Sequence, residues 1–236
     1  MIAETLISDS IPAVSLDDSG SKVLTLMEVF RVSHLPIVTD QEYLGVISDK
    51  DIFDANDFDA PLETFVTDQL LKPHVHLQNH IFEVAAIASS CGVSIVPVLS
   101  DDHLYLGSIS RYDLCNQLTT LFSPNEPGGI IELQMCEKDY TLAQITQIIE
   151  GNDARVLSLY TWKPGGSTTE LNVTIKVNQV DLSGIIQTLT RYNYDIKATF
   201  MDQTPLKNLI DDRFDHPRAQ PGGKSLSVDD SSTHCV

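Results

Sequence analysis

The feature that most constrains this chain is that its first half is written twice. Pro12-Ala13-Val14-Ser15-Leu16 lies over Pro73-His74-Val75-His76-Leu77 at an offset of 61 positions. The same offset sets Pro36-Ile37-Val38-Thr39-Asp40 over Pro97-Val98-Leu99-Ser100-Asp101. One inserted residue later, Gly45-Val46-Ile47-Ser48-Asp49-Lys50-Asp51 lies over Gly107-Ser108-Ile109-Ser110-Arg111-Tyr112-Asp113. Three blocks in one order, with a single slip, mark an internal repeat.

Each copy carries the same string of elements. Val23, Leu26, Met27 and Phe30 recur at helical spacing within 22–31. His34 to Val38 reads as a short strand, Asp40-Gln41-Glu42 as a turn, and Tyr43 to Ile47 as a second strand. Ser48-Asp49 then opens a helix, since both side chains can cap free N–H groups. Copy two repeats this, with a helix through Val84, Ala85, Ile87 and Ala88 and strands at 94–99 and 105–109. A last helix runs from Ser110 or Arg111 to Leu121. A β-α-β-β-α unit of about fifty residues cannot bury a face alone, so the copies, 1–64 and 65–122, should pack together.

This pair resembles a tandem of CBS (cystathionine-β-synthase-type) domains, over residues 4–122. The resemblance rests on Gly-hydrophobic-hydrophobic-Ser-x-x-Asp, Gly45 to Asp51, and its near copy, in which Ser108 replaces the first apolar residue. It implies two clefts between the repeats, of a kind that commonly hold AMP, ADP, ATP or S-adenosylmethionine. It also implies that the Asp accepts from ribose hydroxyls and that the Ser approaches ribose or phosphate.

The residues support this chemistry independently. A Ser at a helix N-terminus, beside free N–H groups, makes an anion seat. A carboxylate one turn on faces the same cleft and can take both hydroxyls of a ribose. Ser48 and Asp51 would serve one site and Ser110 and Asp113 the other, with Lys50 and Arg111 as nearby cations. Ser33-His34 and Ser94-Ile95, just before the matched prolines, would offer backbone groups and apolar surface to an adenine. With one cation per motif, a ligand of low charge, AMP or a sulfonium adenosyl compound, should bind at least as tightly as magnesium-free ATP. The competing reading makes both serines plain helix caps and the tandem a dimerisation module that binds nothing.

Phe122-Ser123-Pro124-Asn125-Glu126-Pro127-Gly128-Gly129 breaks the pattern and marks a boundary. Beyond it, strands are expected at 130–136, 155–162, 170–177 and 194–200, and helices at 141–150 and 182–192. Lys163 to Ser167 reads as a hairpin turn. The order βαββαβ is that of the ferredoxin-like split unit, and behind a CBS pair it resembles an ACT domain over 129–202. ACT domains that bind amino acids carry a glycine in the first strand-to-helix loop. Asp139-Tyr140-Thr141-Leu142-Ala143 lacks it, which favours dimerisation over amino-acid binding. The fold class is therefore α+β, and the architecture resembles the accessory regulatory proteins associated with acetoin utilisation, over residues 4 to about 202. Residues 205–214 start as a helix that stops before Pro217, and 215–236 read as a disordered tail.

Charge and cysteine usage narrow the partners. Residues 1–122 hold 18 Asp and Glu against 5 Lys and Arg, within a formal net charge of −18 for the chain. That field argues against nucleic acid and anionic membranes as partners. No apolar run reaches the length of a membrane span. Four scattered cysteines without a CxxC pair suit a reducing cytoplasm, with Cys91 and Cys115 reading as small core residues. His74, His76 and His80 lie close in sequence but lack a further ligand at regular spacing, and no metal is assigned. No triad or nucleophile has a recognisable context, so the chain reads as a regulator and not an enzyme. It should form a homodimer, with its output in assembly or in a protein partner in trans.

Overall fold

Apolar periodicity and serine caps divide the first half into paired elements. In the computed structural model, which describes residues 1–8, 10–64, 70–165 and 169–201, α1 (Gly20–Phe30) starts on Ser19, whose side chain accepts from the Lys22 N–H. Strands β1 (His34–Thr39) and β2 (Glu42–Ser48) form an antiparallel hairpin, and α2 (Asp49–Ala55) follows directly. The second copy gives β3 (Val75–His76), α3 (Ile81–Ser90), β4 (Ile95–Leu99), β5 (Tyr105–Ser110) and α4 (Arg111–Thr120). Here β3 pairs parallel to β4, and β4 antiparallel to β5. In the first copy the leading strand is reduced to one parallel bridge, Val14 to Ile37.

The copies exchange edges. The N-terminal segment lies against the second copy: Ala3 N–H donates to Asn79 O and Ser8 N–H to Ser108 O. The segment linking the copies returns to the first, where Val46 N–H donates to Leu71 O. One apolar cluster runs through both, from Leu35, Ile37, Ile47 and Ile52 to Ile81, Val84, Ile95, Val98 and Ile109. Neither copy has a complete backbone ladder or core without the other.

These crossings explain the motif glycines. Gly45 and Gly107 adopt φ +152° and +153°, a region that side chains avoid. A Cβ on Gly107 would lie 2.5 Å from Ile7 Cγ2, and one on Gly45 would lie 2.9 Å from Leu71 O. Ser108, which breaks the apolar motif, is fully buried, and its Oγ lies 3.0 Å from the Tyr105 hydroxyl.

Contacts divide the chain into two units, the first holding residues 1–126 with 157–159 and the second the rest. The second contains β6 (Gly129–Cys136), α5 (Leu142–Glu150), the two ends of β7 (Val156–Trp162), β8 (Glu170–Val177), α6 (Ser183–Arg191) and β9 (Asp195–Met201). Its sheet has the order β7-β8-β6-β9, with β6 antiparallel to both neighbours. Ile131, Leu133, Val173 and Ile175 alternate along the two central strands, and these four are fully buried with Ile145, Ile149, Ile185 and Leu189 of the helices.

Cys91 and Cys115 do not lie in the core. Both are exposed: Cys91 caps the C-terminus of α3, and Cys115 follows Leu114, the buried residue of α4. Among the described residues no helix is long and apolar enough to cross a membrane. The expected hairpin turn falls partly, and the tail and the helix start at 205–214 wholly, outside the described residues.

Candidate functional site

The two motifs meet where the copies cross. Ser33 N–H donates to Ser94 Oγ at 3.0 Å, and Ser94 N–H to His34 Nδ1 at 3.3 Å. The carbonyls of the same matched serines then hold the motif helices: Asp49 N–H donates to Ser33 O and Arg111 N–H to Ser94 O. Ser33, His34 and Ser94 therefore form a polar joint between the copies. His34 is half-buried, and burial lowers its pKa below 6.5, opposed by the Asp49 and Asp51 carboxylates and reinforced by Arg111. With Nδ1 accepting from Ser94 N–H, the neutral ring carries its proton on Nε2. Ile95 is fully buried in the core, so its side chain offers no surface to a ligand.

At the first motif the polar groups satisfy one another. Asp51 Oδ2 accepts from Ser48 N–H at 2.9 Å and Ser48 Oγ at 2.7 Å, while Ser48 Oγ accepts from Asp51 N–H at 3.1 Å. This is a complete capping box. Lys50 N–H donates to Asp49 Oδ1, so the first three amides of α2 all have protein partners.

The second motif is more open. Asp113 Oδ2 accepts from Ser110 Oγ at 2.6 Å, and Ser110 Oγ caps Asp113 N–H at 2.9 Å. The Tyr112 N–H, second in α4, has no partner among the described residues. Beside it lies a cleft of about 780 Å³, within the usual range for a small-molecule site. Ser110, Arg111, Tyr112 and Asp113 line one side together with Ser94. Ser8, Ser10 and Ile11 reach it from the N-terminal segment, and Phe30, Arg31 and Val32 from the end of α1. The structure thus gathers Ser94, Ser110, Arg111 and Asp113 at one cleft, and Ser48, Lys50 and Asp51 are not among its lining residues.

Arg31 was not visible as a site residue in the sequence. It ends α1 in the left-handed conformation, φ 54° and ψ 44°, with Val32 N–H reaching back to Met27 O. Glycine is the usual residue at such a closure. The repeat contained the signal, because the 61-position offset places Arg31 over Gly92, which has φ +68°. Arg111 also lines the cleft while its Nη2 donates to Ala88 O in the last turn of α3 and to Val93 O beyond it.

In the second unit, a crevice of about 350 Å³ opens at the β6–α5 loop. Asp139, Gln144, Tyr194 and Asp195 line it, with Tyr194 Oη donating to Gln144 Oε1 at 2.9 Å. It has two carboxylates and no lysine or arginine among its lining residues, a poor setting for the carboxylate of an amino acid. His80 lies apart from His74 and His76 in role: it caps α3, accepting from Phe82 N–H. Among the described residues no group of three His, Cys, Asp or Glu could hold a metal ion.

Residues 3–57 match the CBS domain family model. Among solved structures, a CBS domain pair/ACT domain protein from Thermotoga maritima aligns with TM-score 0.46 and 18% identity, over 51% of this chain and 98% of that chain. CBSX2, solved in complex with AMP, aligns with TM-score 0.44 and 16% identity, over 50% and 96% of the two chains. The CBS domain pair of protein MJ0100, solved with 5′-methylthioadenosine and S-adenosyl-L-methionine, gives TM-score 0.43 and 20% identity, over 51% and 97%. The family match covers the first repeat, and the second repeat carries the same helix, hairpin and motif helix in the same order.

Proposed function

We propose that this chain is a regulatory protein that senses an adenosyl compound in the cleft beside Ser110 and Asp113. The observation that carries the reading is the meeting of three features at one cleft: a motif carboxylate, an unpaired amide at a helix start and an apolar wall. Asp113 accepts from the ribose, Ser110 and the Tyr112 N–H face its phosphate side, and Ile11, Phe30 and Val32 cover the base. Ser48 and Asp51 act as a helix cap, so one ligand binds per chain. AMP, ADP, ATP and S-adenosylmethionine are the ligands to test.

The second unit is an ACT-type, ferredoxin-like domain that takes the signal in a homodimer or passes it to a protein partner. Its acidic crevice supports an assembly role over amino-acid sensing. The polar joint at Ser33, His34 and Ser94 is the route by which a ligand at one motif biases the packing of the copies. Thermal unfolding with and without each compound tests the proposal. A ligand that binds only the folded chain stabilises it by mass action, by about 2.7 kcal/mol at a hundredfold excess over Kd, and so raises the midpoint. No shift with any adenosyl compound would leave the tandem as a ligand-free scaffold.

A further inference from the structure

We infer that the cleft selects a phosphorylated adenosyl ligand over a sulfonium one, and that Arg31 is the residue that makes the selection. The inference deepens the adenosyl reading above and rests on it for the nucleoside part alone. Residues 1–122 contain five cations, Lys22, Arg31, Lys50, Lys72 and Arg111, against 18 carboxylates. Both arginines of this set line one cleft, which has Asp113 as the carboxylate among its described lining residues. The ion pairs among the described residues are Lys22–Asp18 and Lys163–Glu137, so neither arginine is in an ion pair among those residues. Arg111 spends part of its guanidinium on Ala88 O and Val93 O, whereas the Arg31 side chain has no partner among the described residues.

Arg31 holds a left-handed conformation that disfavours any side chain, at the position where the other copy has Gly92. A Cβ on Gly92 would meet nothing within 4 Å, so space does not explain the difference between the copies. Seven other non-glycine residues among those described also have positive φ, so the conformation by itself marks a helix end. The position of Arg31 on the cleft, without a side-chain partner among the described residues, is what brings its charge to the site. Arg31 comes from the first copy and the motif helix from the second. A phosphoryl group between Arg31 and the Tyr112 N–H would therefore also tie the two copies together.

Calorimetry with adenosine, AMP and S-adenosylmethionine on wild type, Arg31→Gly and Arg31→Lys tests this. Arg31→Gly suits its backbone and is expected to fold. AMP should bind wild type about tenfold or more tighter than adenosine, the scale of a hydrogen bond to a charged group. Arg31→Gly should remove that advantage and leave adenosine binding unchanged, and Arg31→Lys should restore most of it. Equal affinity for AMP and adenosine in wild type, tighter binding of S-adenosylmethionine than AMP, or equal losses for AMP and adenosine in Arg31→Gly would overturn it. Thermal unfolding with inorganic phosphate separates the two readings. Protection of wild type but not Arg31→Gly, with no nucleoside binding, upholds the anion site and rejects the adenosyl one. No protection and no binding rejects both.

Discussion

Replacing the two motif aspartates one at a time should separate a cap from a ligand contact. Asp51 accepts both Ser48 donors and its helix start has no free amide, so Asp51→Ala removes a capping box. Such losses cost about 0.5–2 kcal/mol of folding stability. Asp113 makes one described side-chain bond, to Ser110 Oγ, and lines the cleft. Asp113→Ala should lose hydrogen bonds from a ribose to a charged acceptor, about 1.5–3 kcal/mol, or roughly a 10- to 150-fold weaker Kd. Urea unfolding measures the first effect, and calorimetry with AMP measures the second together with stoichiometry. The expected pattern is a less stable Asp51→Ala protein with unchanged affinity, a weakened Asp113→Ala protein, and one site per chain. Two sites in wild type, or equal affinity losses in the two variants, would show that the capping box opens for ligand and refute the assignment.

Three further outcomes follow from the geometry. Because the folded-state pKa of His34 lies below its unfolded value, the stability it contributes is complete above about pH 6.5 and declines as pH falls through the folded value. Unfolding midpoints from pH 7.5 to 5 should show this acid loss, and His34→Gln should lessen it; an identical profile in the variant would contradict the neutral joint. Gly107→Ala should destabilise the first unit by about 2–4 kcal/mol, combining strained backbone and a collision with Ile7 Cγ2, and a urea-measured loss below about 1 kcal/mol would show that the N-terminal segment simply moves aside. Arg31→Gly should stabilise the unliganded protein by about 0.5–1 kcal/mol, since relief of roughly 1–2 kcal/mol of left-handed strain exceeds the added chain entropy; a lower melting temperature would mean that Arg31 has a structural partner.

The elements of both units could be read from the chain because their signals are local. Val23, Met27, Val84 and Ala88 recur at the period of a helix, and Ser19, Ser48 and Ser110 stand at helix starts whose amides they cap. The repeat showed that two copies must share a core, and the motif showed which residues stand at matched helix starts. What the repeat could not show is that its halves are unequal. Ser48–Asp51 closes into a box while Ser110–Asp113 stays open, and that difference lies in hydrogen bonds that the same residue types can make or leave unmade. Tertiary structure also decided that Ile95 belongs to the core and that Cys91 and Cys115 face outward, since composition does not say which side of an element is covered. Arg31, Ser8 and Ser10 join the second motif because the chain crosses from one copy to the other, a contact at long sequence separation that no local pattern encodes.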